Sequence, residues 1–60
     1  MVLIIKVSIS TMIVNDISWY PDRNIANKEF LKLGASDNDL FRGDFIDHDN
    51  SLVISICDLN

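Results

Sequence analysis

The sequence predicts a single small α+β domain, residues 1–60, with a mostly antiparallel sheet of three to four strands. One short helix, roughly residues 24–33, packs on one face of that sheet, and a β-hairpin closes the C-terminus. Three observations carry this expectation. An apolar, alternating segment opens the chain, a Pro-Asp-Arg-Asn punctuation precedes a helically spaced run, and two apolar runs flank the turn-rich Asp47-His48-Asp49-Asn50-Ser51.

Residues 2 to 10 read as the first strand. Leu3, Ile5, Val7 and Ile9 fall on one face, and Val2, Ile4, Lys6, Ser8 and Ser10 on the other. A short second strand, Ile17-Ser18-Trp19-Tyr20, is expected after a hairpin across Asn15-Asp16; the competing expectation is that Met12 to Val14 continue the first strand beyond a bend. Pro21 fixes φ, and the Asp and Asn after it favour turns and helix caps. Ile25, Ala26, Phe30 and Leu33 then recur with helical spacing, with Lys28 and Lys32 four apart on the other side. Gly34 supplies the helix stop. In the connector from Ala35 to Leu40, Ser36 or Asp37 caps a single helical turn before Phe41.

The hairpin strands are expected at Phe41 to Ile46, with Gly43 marking a bulge or a close approach of the backbone, and at Leu52 to Cys57. The second run is nearly all apolar and rich in β-branched residues, which places it at the centre of the sheet beside the first strand, buried on both faces.

Composition narrows the function classes. A chain of 60 residues buries only about 60% of the surface its unfolded form exposes, so self-association as a homodimer or burial against a partner is expected. Cys57 is the only cysteine, which rules out an intrachain disulfide and suits a reducing, cytoplasmic setting. The apolar start lacks a charged leader region and is interrupted by Lys6 and Ser8, so neither a signal peptide nor a membrane span is expected. Nine Ile and six Asn, against seven Gly, Ala, Arg and Pro together, fit an AT-rich gene of phage or low-GC bacterial origin, with the host cytoplasm as the setting for a phage protein.

The net charge of −4 has one source. Asp37, Asp39, Asp44, Asp47 and Asp49 lie in a segment whose sole cation is Arg42, while the other four acidic residues are matched by four cations. Without a basic stripe, direct nucleic-acid binding is not expected.

The chemical motifs in the chain are each incomplete. Asp47-x-Asp49-x-Ser51 has the strand-end spacing used in phosphoryl transfer, but only nine residues follow Ser51, too few for the remaining carboxylates and base. Calcium loops started at Asp37 or Asp47 put Arg42 or Leu52 where glycine is needed. His48 is the single histidine, so no Cys-His zinc set exists, and Cys57 sits inside an apolar strand, unsuited to nucleophilic work with His48. Arg42-Gly43-Asp44 matches the adhesive tripeptide by three residues only, and a bulge explains its glycine. Trp19 and Tyr20 serve either core closure or an interface.

No catalytic residues, metal ligands or cofactors are therefore expected. The sequence points to a small acidic, non-enzymatic protein-binding domain, an accessory or inhibitor protein of phage type. It would dock on the basic surface of a larger protein through Asp37, Asp39, Asp44, Asp47, Asp49 and Phe41, steered by the carboxylates and anchored by Leu40, Phe41 and Phe45. The alternative is a homo-oligomeric assembly protein that uses an exposed sheet edge, burying the Val2 and Ile4 face of its first strand.

Overall fold

A computed structural model describes residues 1–59 and bears out the α+β class. The chain runs β1 (Val2–Ser8), β2 (Val14–Tyr20), α1 (Arg23–Lys32), α2 (Asp37–Arg42), β3 (Asp44–Asp47) and β4 (Leu52–Asp58). The strands form one sheet in the order β2-β1-β4-β3, with every neighbouring pair antiparallel. Residues Leu52–Asp58 are thus central and beside the first strand, as expected.

Local sequence explains most boundaries. β1 ends at Ser8, two residues earlier than its alternation suggests, because the chain turns back at once: Met12 donates to the Ser8 carbonyl (2.8 Å) and Ser8 to the Ile13 carbonyl (3.0 Å). Met12 takes a left-handed φ of 58° in this turn. Asn15 and Asp16, expected as the turn, therefore lie inside β2. Val7 pairs with Val14 and Lys6 with Asp16, so Asn15 is the extra residue of a bulge.

α1 is capped by Asp22, whose carboxylate accepts from the Ile25 amide (3.0 Å), and is anchored to the sheet by an Arg23–Asp58 ion pair (3.2 Å).

The single turn expected after a Ser36 or Asp37 cap is a helix of six residues, α2, capped by Ser36. Ser36 and Asp39 form a reciprocal capping box at the start of α2, and Gly43 ends it in the left-handed conformation (φ 93°). Phe41 and Arg42 are therefore helical, and the strand expected from Phe41 begins at Asp44. The capping box wins because it satisfies two backbone amides that a strand at the sheet's margin would leave to water.

The core lies between the helices and one face of the sheet. Val2 and Ile4 of β1, Phe45 of β3 and Leu52, Ile54 and Ile56 of β4 meet Ala26 and Phe30 of α1, both fully buried. The rings of Phe30 and Phe45 pack edge to face with centroids 5.2 Å apart. Tyr20, Leu33, Ala35 and Leu40 close its margin, while Ile25 stays exposed despite its helical spacing.

The Val2/Ile4 side of β1 is thus the covered one, and β1 is an inner strand, not an edge. Register is the cause: Ile4 pairs with Ile56 and Val2 with Asp58, which aligns the even-numbered residues of both strands under the helices. β4 is consequently buried on one face and only half-buried on the other.

Candidate functional site

The carboxylates of the acidic segment are mostly committed to local structure. Asp39 accepts from the Ser36 amide (2.9 Å) and from Arg42 Nη2 (2.8 Å). The Ser36 amide is the main cause that holds the Asp39 carboxyl below its ordinary range, with Arg42 adding to it. Arg42 turns its Nε to Asp44 (2.9 Å) and also donates to the Asp44 carbonyl (3.0 Å), so one guanidinium ties two carboxylates and shields part of the outer edge of β3.

Asp47 closes the hairpin turn. It accepts from the side chain of Asn50 (2.9 Å) and from the amides of Asp49 (3.1 Å) and Asn50 (3.4 Å), and the Asn50 side chain is the chief reason its carboxyl is lowered. Asp37 and Asp49 are exposed, on different elements.

Asp39, Asp47 and Asp49 do border one open groove of about 590 Å³, lined also by Leu33, Gly34, Phe45 and Ile46. Arg42 and His48 line it too, so its charge is mixed. Phe41 is 96% exposed and lies outside the groove. Phe45, expected as an anchor for a partner, belongs to the core. Among the described residues no group of three His, Cys, Asp or Glu side chains is placed to hold a metal ion, and no helix is long and apolar enough to cross a membrane.

A larger feature lies on the other side of the sheet. Both helices pack on the same face, and alternation of side chains along the strands then leaves the odd-numbered residues of β1 and β4 on a face without any helix. The pairing orders that open face into three rows. Trp19, Leu3 and Cys57 form the first. Ile17, Ile5, Ser55 and Asp44 form the second, and Val14, Val7, Val53 and Ile46 the third.

Of these eleven positions only Asp44 is charged, and Arg42 pairs it. Trp19 is 58% exposed, and Val14, Ile17 and Ile46 are each about half exposed, whereas Leu3, flanked by Trp19 and Cys57, is buried by its neighbours. Trp19 and Tyr20, adjacent in sequence, thus separate: Tyr20 packs against the core and Trp19 stands on the open face.

The sequence held a signal for this face that the site expectations did not use. Two short helices can cover one side of a four-stranded sheet, and β1 is apolar on both. An apolar face had to be left over.

Comparison with known proteins finds no matching family model, no matching curated protein and no matching solved structure.

Proposed function

We propose that this chain is a small, non-enzymatic protein-binding domain whose contact surface is the open face of its sheet. One observation carries the proposal: a three-row apolar surface, charged only at the paired Asp44, with an exposed tryptophan at one corner. Water-exposed apolar patches of several hundred Å² mark interaction sites, and tryptophan is the side chain most enriched among energetically dominant contacts. The lone thiol, Cys57, lies half-buried on the same face, which suits a reducing cytoplasmic setting.

A photoreactive phenylalanine analogue placed at Val14, Ile17 or Ile46 tests the proposal in the producing cell, with Lys28 and Leu31 on the outer side of α1 as controls. Covalent adducts from the sheet positions and not from the helix positions are expected. Adducts from the helix positions alone, or none, would overturn the assignment of the surface.

A second mode, docking on a basic protein surface, is favoured by Phe41, which stands almost fully exposed on α2 with Asp37 in the first turn of the same helix. Steering by carboxylates makes such docking weaken with salt, whereas contact through the open face does not. Binding that weakens several-fold between low and high salt and is lost in Phe41→Ser would assign the contact to α2.

A further inference from the structure

Resting on the reading of the open face as the contact surface, we propose that its occupant is a second copy of this chain. The two sheets would pack face to face across a two-fold axis, giving a helix–sheet–sheet–helix dimer.

The first support is area. Three strands of seven residues and one of four, about 4.8 Å apart and rising about 3.3 Å per residue, make a face of about 400 Å² on each copy. A pair then buries about 800 Å², the range of weak interfaces that form at high concentration. The chain also has reason to use it, because among the described residues its own core cluster holds only eight buried side chains.

Charge supplies the second support. Two copies of a chain with net charge −4 repel unless they meet where the charge is absent. The acidic residues lie on the helix side, at the hairpin tip and at the margins, and the single carboxylate of the open face is held by Arg42. A strongly basic partner would find no counter-charge there, while an identical uncharged face matches it.

The relief of the face agrees. Trp19 on β2 is the most exposed side chain of the first row, while Cys57 of β4 is half-buried and β3 contributes nothing to that row. A two-fold axis along the strands sets Trp19 of each copy over the end of the first row that β3 leaves empty in the other, at the spacing of about 10 Å usual for stacked sheets.

Pairing through the sheet edges is the competing geometry for a second copy, and both edges are blunted. β2 carries the bulge at Asn15, and β3 has four residues with Arg42 bonded to its Asp44 carbonyl.

The experiment is sedimentation equilibrium of the full chain from about 1 µM to about 1 mM, the range in which an interface at the lower size limit dissociates, read together with Trp19 emission. Trp19 is the only tryptophan, so its spectrum reports the open face directly. The mass is expected to rise from 6.8 kDa to twice that value while the emission moves to the blue in step. Val14→Lys on β2 and Ile46→Lys on β3, which face uncharged positions in this geometry, each place an unpaired charge in the interface and are expected to weaken association about 100-fold or more, with circular dichroism unchanged. Either variant alone suffices if the other fails to fold. Phe41→Ser, on the helix side, is expected to dimerise like the parent.

A monomer at every concentration would overturn the second copy as occupant, while photo-adducts to another protein from Val14, Ile17 or Ile46 would keep the face as the contact surface. A dimer that survives both lysine substitutions would overturn the face-to-face geometry in favour of edge pairing.

Discussion

Ile54 and Val53 are neighbours in β4 with similar side chains on opposite faces of the sheet, and truncating each in turn reads out which face is the core. Ile54 is 1% exposed and sits among Phe30, Phe45 and Ile4 in the buried cluster. Ile54→Ala removes three carbons and leaves a cavity, at a cost of about 2–5 kcal/mol. A domain of this size holds roughly 3–9 kcal/mol in total, so the variant is expected to lose from about a quarter to all of its stability. At about 4–8 °C per kcal/mol, its melting temperature falls by about 8–40 °C.

Val53 is half-buried on the helix-free face. Val53→Ala removes two carbons that remain near water in the isolated chain and leaves no closed cavity, so the expected cost is about 1 kcal/mol or less. The measurement is urea and thermal unfolding by circular dichroism on protein dilute enough to be monomeric. Equal destabilisation by the two truncations would refute the assignment of the open face. At high concentration the Val53→Ala cost should grow if a second copy covers that face, because the same carbons then leave a packed interface.

Two further outcomes test the local structure. Gly43 ends α2 at φ 93° with room for a methyl group, the nearest atom to an added Cβ being the Ile56 carbonyl oxygen at 3.6 Å. Gly43→Ala should therefore cost about 1–2 kcal/mol through backbone strain alone, seen as a lower melting temperature without loss of the α2 signal in nuclear magnetic resonance. The carboxyls of Asp39 and Asp47 are both lowered in the folded state, so the unfolded chain binds protons more readily than the folded one at acid pH. Their contribution is complete above the ordinary carboxylate range near pH 4 and disappears as pH falls through their lowered values. Acid unfolding followed by circular dichroism should show a flatter pH dependence for Asp39→Asn and Asp47→Asn, and an unchanged profile in both would contradict the hydrogen bonds described.

The sequence by itself determined the elements wherever a local interaction decides them. Asp22 caps α1, Gly34 follows its end, and the cluster Asp47 to Ser51 makes the hairpin turn, because each acts on backbone groups within three or four residues. It also located the charge, although it did not reveal that Arg42 ties two of the five aspartates and that the Ser36 and Asn50 contacts commit Asp39 and Asp47.

Alternation in β4, with Leu52, Ile54 and Ile56 against Val53, Ser55 and Cys57, was readable as a larger and a smaller face. In β1 both faces are apolar, and alternation alone cannot say which the helices take. That choice is made by the pairing of Ile4 with Ile56, and a slip of one residue would have exchanged the two faces. Register is a property of two strands separated by more than forty residues, so only the assembled sheet could decide it. With it came the feature that the apolar sequence contained but could not place, an uncovered face bearing Ile17 and Trp19.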